Sequence, residues 1–390
     1  MKKILLIAAA VLLGSSGAWA LGTTANTRID NNATLSYTAG SVTYEANASL
    51  DSNNGKAADS FLVDKKVDMV LVTTDTSHLT VVPSDADRVR TFAFKNEGNA
   101  EQWFRFAYGD TADGTLPDYN DDADDLDVAS FTKVEYTYDG TTCPGKTSGT
   151  ATTSPFEIDV PADCNMTFKV YSNIKGPADA TDNKVMVIEL NATAITAQNG
   201  NVESNSSTEG SEVVDVVLAD GHNHGTLGSY DNSWNSGATA NDPDTPEDGI
   251  EIARSGYVVH RPLLSLNKKS CVYDDPVNLT TNPKRIPGAR IMYVIDIDNN
   301  GTADATDVTI TDDIADQLLY NTIAHATDPD TGSGKVTVAE NVDSCSCDDG
   351  QAQNSGSDVD NTGSGTELKV EGIDIVSGKH TCVSFTVEIE

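Results

Sequence analysis

Asp296-x-Asp298-x-Asn300-Gly301-x-x-Asp304-x-x-Asp307 places oxygen-bearing side chains at positions one, three, five, nine and twelve of a possible loop, with Gly at position six. This is calcium-loop spacing: hard oxygens surround a hard cation, glycine permits the sharp turn, and Asp stands where a bidentate Glu usually closes the cage. A second candidate is the run holding Asp118, Asp121, Asp122, Asp124 and Asp125, because crowded carboxylates repel one another until a cation neutralises them. Calcium is the one cofactor these patterns point to. Against the first candidate, its flanks read as strands, whereas such loops sit between helices. Against the second stands the reading of a solvated acidic loop. His222 and His224, beside Asp220, could bind zinc or copper from one side of an extended chain. No third ligand is identifiable, so loop histidines are the expected reading.

The six cysteines fall into two groups, Cys143 and Cys164, then Cys271, Cys345, Cys347 and Cys382. Residues 1–20 read as a cleaved secretory signal: Lys2 and Lys3, an apolar run from Ile4 to Leu13, then Ala18-Trp19-Ala20. In an exported chain an even number of cysteines implies disulfides. Cys143 is expected to pair with Cys164, closing a loop of about 20 residues that contributes on the order of 3 kcal/mol. Three pairings remain open for the other four. A metal or redox site at Cys345-Ser346-Cys347 is disfavoured by the short spacing.

No Gly-x-Ser-x-Gly elbow, His-Glu-x-x-His pair or phosphate-binding glycine loop occurs. Carboxylate pairs are too abundant to single one out for glycoside hydrolysis. The expectation is a protein that is not an enzyme. With 60 acids against 25 bases the formal net charge is −35, which disfavours nucleic acid as a partner. After residue 20 no apolar run approaches the roughly 20 residues of a membrane span. Asp outnumbers Glu by 44 to 16, which favours turns over helices.

The elements that would carry these residues read as strands. Stretches such as Ala33 to Thr38, Ser41 to Ala48, Val89 to Phe94, Lys184 to Thr193, Gly256 to His260, Arg290 to Ile297 and Cys382 to Ile389 alternate at period two between turn residues. Trp103, Phe104 and Phe106 read as strand and core. Only Asp313 to Tyr320 suggests a turn or two of helix. Polar segments interrupt at Gly109 to Val128, Asp220 to Asp248 and Cys347 to Gly365. An internal repeat aligns Phe92–Glu101 with Ile295–Asp304 through a shared Asn-x-Gly-x-Ala turn. Its first copy has Ala93 and Lys95 where the calcium pattern needs Asp296 and Asp298, so the turn exists without that cage.

Leu264-Ser265-Leu266-Asn267-Lys268, Asn282 through Ala289, Tyr293 through Asp312 and Gly378 through Phe385 together resemble the conserved-repeat, immunoglobulin-like domains of exported bacterial surface proteins, a family of unknown function. The resemblance covers residues 262–390 and, more loosely, 62–195. It implies an all-β fold of two tandem immunoglobulin-like antiparallel β-sandwich domains after the cleaved signal peptide, and a surface location, with no catalytic residues. The expected division is 1–20 signal peptide, 21–219 N-terminal β-sandwich, 220–261 acidic connector with a short strand, and 262–390 C-terminal repeat domain.

The expected role is a secreted, non-enzymatic structural or adhesive component of a bacterial cell surface or extracellular assembly. Filament formation would follow if Leu21 to Thr38 lent a strand to a neighbour's sheet. Since no sorting signal follows Val383 to Glu390, the expectation is that protein contacts or self-association retain it, or that it is released. The alternative is a calcium-organised secreted binding module for carbohydrate or a protein partner.

Overall fold

A computed structural model describes residues 22–30, 34–47, 60–110, 129–208, 213–220, 247–319, 335–348, 351–352, 357–360 and 367–390. Every regular element among them is a strand. In chain order these are β1 (Arg28–Asp30), β2 (Thr34–Ala39), β3 (Val42–Asn47), β4 (Ser60–Leu62), β5 (Lys65–Val67), β6 (Met69–Thr73), β7 (Leu79–Val81), β8 (Arg88–Asn96), β9 (Gln102–Asp110), β10 (Ala129–Tyr138), β11 (Gly149–Ala151), β12 (Phe156–Val160), β13 (Asn165–Ile174), β14 (Val185–Ile195), β15 (Val216–Leu218) and β16 (Ile250–Val259). The remainder are β17 (Leu264–Asp274), β18 (Arg290–Asn299), β19 (Ala305–Asp313), β20 (Leu318–Leu319), β21 (Lys335–Val342), β22 (Cys347–Asp348), β23 (Gln351–Ala352), β24 (Ser357–Asp360), β25 (Glu367–Ile375) and β26 (His380–Ile389).

Two five-stranded sheets, β11-β10-β13-β8-β6 and β12-β9-β14-β16-β7, form the first sandwich. Alternation at period two turns Phe92 and Phe94 of β8, Phe104 and Phe106 of β9 and Phe168 of β13 into one buried cluster. Phe94 meets Phe104 and Phe106 edge-on at 4.9 and 5.1 Å, a favoured aromatic geometry. Each such buried ring contributes about 1.5–3 kcal/mol. β14 is buried on both faces from Val185 to Ile188 and β16 from Ser255 to Val259, and Tyr257 of β16 is fully enclosed with its hydroxyl donating to the Arg88 carbonyl.

The second half opposes the sheet β17-β18-β26-β21-β24 with a two-stranded pair, β19-β25. Ile291, Ile295 and Ile297 of β18 meet Leu368, Val370, Ile373 and Ile375 of β25 in its core. The outer face of the same sheet carries a smaller cluster of Met292, Val294, Ala339, Cys345 and Cys382. Cys143 is bonded to Cys164 and Cys345 to Cys382, with Cα atoms 4.9 and 5.6 Å apart. Cys271 is also disulfide-bonded; the side chain of Cys347 lies outside the described residues.

Two expectations need correction. Asp313 to Tyr320 forms no helical turn through its described part: β19 runs to Asp313, and Leu318 and Leu319 pair with Ile389 and Glu388. The strand expected at Gly256 to His260 inside the connector spans Ile250–Val259 and pairs along its length with β14, so it belongs to the first sandwich. Residues 1–20 and the acidic run from Asp118 to Asp127 lie outside the described residues.

Candidate functional site

The repeated turn has the same hydrogen bonding in both halves. Asn96 and Asn299 are buried at the ends of β8 and β18. Asn96 Nδ2 donates to the carbonyls of Ala100 (3.0 Å) and Val160 (2.9 Å), and its Oδ1 accepts from Gly98 N at 3.0 Å. Asn299 Nδ2 donates to Ala303 (2.9 Å) and Ile375 (3.1 Å), and its Oδ1 accepts from Gly301 N at 3.1 Å. A Cβ on Gly98 would stand 2.6 Å from the Lys66 carbonyl oxygen, and one on Gly301 would stand 2.2 Å from that of Arg261. Glycine is therefore required by close backbone approach. The incoming strand is held alike, with Asn99 N donating to Lys66 O and Thr302 N to Arg261 O. Met69 pairs with Asn96 and Leu264 with Asn299, which makes β6 and β17 equivalent strands.

The calcium-patterned residues occupy different parts of this turn. Asp296 and Asp298 point to the outer face of β18, where Asp296 Oδ1 is 2.8 Å from His380 Nδ1 and Asp298 Oδ1 is 3.6 Å from His380 Nε2. Asn300 Nδ2 donates to Asp298. Asp304 Oδ1 accepts from Ser377 N at 2.9 Å, and Asp307, at φ +57°, donates its N–H to Asp374. The five are thus divided between the outer sheet face, the turn and β19. Among the described residues no group of three or more His, Cys, Asp or Glu is arranged to hold a metal ion. Asp118, Asp121, Asp122, Asp124, Asp125, His222 and His224 lie outside the described residues.

The equivalence of the two turns exposes a difference between the two sandwiches. Met69 and Leu71 sit on the core face of β6, opposite Asn96 and Phe94, and both are 0% exposed. Leu264 and Leu266 hold the same places on β17, opposite Asn299 and Ile297, and are 44% and 64% exposed. In the first sandwich the far edge of β9 is paired by β14, which pairs β16, and β16 packs over β6. In the second, β19 has β25 on one edge and, among the described residues, no strand on the other. Lys268 of β17 bridges to Asp312 of β19 at 2.5 Å, while β25 packs against β21 across the sheet, so the second edge of β19 lies on the β17 side. An apolar strip therefore lies open beside a strand edge that has no partner strand among the described residues. In the sequence Leu264 to Lys268 is marked only by the family resemblance, and nothing local shows which of its faces lacks a cover.

A second unpartnered feature is the β2–β3 hairpin, joined by Gly40 and Ser41 with Gly40 at φ +69°. Tyr37 pairs with Tyr44 and Ala39 with Val42, so these and Leu35 share one face. That face is open to solvent: Leu35, Tyr37, Val42 and Tyr44 are 61%, 52%, 51% and 46% exposed. The other face carries Thr34, Ser36, Thr38, Thr43 and Glu45. The expected donor segment, Leu21 to Thr38, is thus divided: Arg28–Asp30 pairs with β4 of its own chain, and Thr34–Ala39 pairs with β3.

No family model and no curated protein sequence matches the chain. Among solved structures it is similar to the C-terminal domain of the Streptococcus agalactiae AgI/II polypeptide BspA, at 8% identity and a TM-score of 0.29, covering 83% of this chain and 91% of that one. It is similar to the T6 backbone pilin of Streptococcus pyogenes at 10% identity and a TM-score of 0.22, covering 84% and 54% respectively. A chaperone–tip adhesin complex of CFA/I fimbriae is similar at 10% identity and a TM-score of 0.22, covering 82% and 87%.

Proposed function

We propose that this chain is a non-enzymatic structural or adhesive component of a bacterial cell surface or extracellular assembly, and that it works by self-association. The observation that carries this reading is the open strip of Leu264 and Leu266 beside the unpaired edge of β19. An uncovered core face next to a strand edge that has no partner strand among the described residues is a template for an added strand. The leader sequence and the disulfides suit export. The net charge of −35 keeps copies apart except where a specific contact forms.

Sedimentation of the protein without residues 1–20, at rising concentration, tests the reading. The expected outcome is a series of species heavier than one chain. A single-chain mass at every concentration removes it.

A further inference from the structure

We infer that the occupant of the open slot is the β2–β3 hairpin of a second copy of this chain, laid beside β19 with its apolar face on Leu264 and Leu266. The inference rests on the self-associating reading above and specifies its two surfaces. The first sandwich shows what fills this place: an antiparallel pair, β14 and β16, with β14 bonded to the edge of β9. The hairpin is also an antiparallel pair. It carries Leu35, Tyr37, Val42 and Tyr44 on one face and four hydroxyl-bearing residues with Glu45 on the other. Its outer edges pair with no other strand among the described residues, so its backbone can bond to β19 while its apolar face meets the strip.

Charge selects the same contact. In a chain of net charge −35, residues 34–47 contain one charged side chain, Glu45. The acceptor side is balanced rather than acidic: Leu264 to Arg290 contains Lys268, Lys269, Lys284, Arg285 and Arg290 against Asp274 and Asp275, and β19 adds Asp307, Asp312 and Asp313. Arg285 reaches back to the Ser270 carbonyl of β17. A nearly neutral hairpin meeting a charge-balanced slot avoids the repulsion that two acidic surfaces of this chain would meet. Donor and acceptor are different patches of one chain, so the contact is head-to-tail and open-ended.

Leu266→Glu blocks the acceptor and Tyr37→Glu blocks the donor, and both positions are exposed, so each variant should melt with the parent. Sedimentation of the full chain without residues 1–20 reads the result. The parent should form species that grow with concentration, and each variant alone should remain a single chain. An equal mixture of the two should form dimers that grow no further, because one intact hairpin meets one intact slot. If the parent assembles and either variant assembles equally well, the inference is overturned while the self-associating reading stands. Loss of assembly in Tyr37→Glu alone would mean a hairpin-to-hairpin contact and would also overturn it. A mixture that stays monomeric overturns it as well. A parent that never assembles overturns both.

Discussion

Two buried asparagines explain why the second half folds like the first despite little shared sequence around them. Asn299 satisfies two backbone donors, Gly301 N and Leu263 N, and two backbone carbonyls where β18 turns into β19. Replacing it with Ala leaves those groups enclosed and unpaired, at about 1–3 kcal/mol each, so a loss of about 3 kcal/mol or more is expected in urea unfolding. Asn299→Asp should cost comparably, since a carboxylate cannot donate to Ala303 and Ile375. Asp275 makes a parallel case with a pH signature. Its burial pulls the carboxyl's pKa up, but hydrogen bonds from the Asn278 backbone and side chain and from the Lys284 and Val277 backbone outweigh this and hold it at about 2. A folded-state pKa below the unfolded value of about 3.9 gives stability that is fully present above the unfolded value and is lost as pH falls through the folded one. Urea midpoints measured from pH 5 to pH 2 should therefore fall less steeply in Asp275→Asn than in the parent. Parallel slopes would show that Asp275 contributes nothing to acid sensitivity.

At the scale of elements, period-two alternation was legible because each strand has one core face and one other, as in Ile291, Ile295 and Ile297 on β18. The Asn-x-Gly-x-Ala repeat was legible because its residues act locally. What was not legible depends on distant partners. The Asp at position one of the calcium pattern meets His380, 84 residues away, and alternation on β18 turns its side chain off the core face. The helical turn expected between Asp313 and Tyr320 yields to pairing of Leu318 and Leu319 with the end of β26. The true length of β16 follows from its register with β14 rather than from its own pattern, since Gly256 and Ser255 sit in the middle of it. The Cys345–Cys382 bond ties the outer-face cluster to β26 across a sequence separation of 37 residues. The corresponding loop-closure effect is about 3–4 kcal/mol. Cys345→Ser with Cys382→Ser should lower the melting temperature in calorimetry, and an unchanged melt would show that the bond adds nothing to the fold.

For the molecule as a whole, one carboxylate joins the halves. Asp182, in the loop before β14, accepts from Arg261 N at 2.8 Å and from Thr302 Oγ1 at 2.6 Å through Oδ1, and from Thr302 N at 3.2 Å through Oδ2. Arg261 also donates to the Pro177 carbonyl. The same Arg261 carbonyl lies against Gly301, so the repeated turn of the second half is docked on the first half through a single connected set of bonds. Acting against this closeness is a net charge of −35, whose repulsion salt screens over about 10 Å at 0.1 M. Melting temperature should therefore rise with sodium chloride, and a melt insensitive to salt would mean the carboxylates are too dispersed to strain the fold. Asp182→Ala separates the two effects. It removes one charge, which slightly relieves repulsion, but it leaves Arg261 N and Thr302 without their shared acceptor. If docking couples the halves, the parent unfolds in one calorimetric transition at high salt and Asp182→Ala unfolds in two, with the midpoints of the individual halves little changed. If both proteins show the same number of transitions, Asp182 positions the linker without coupling the sandwiches.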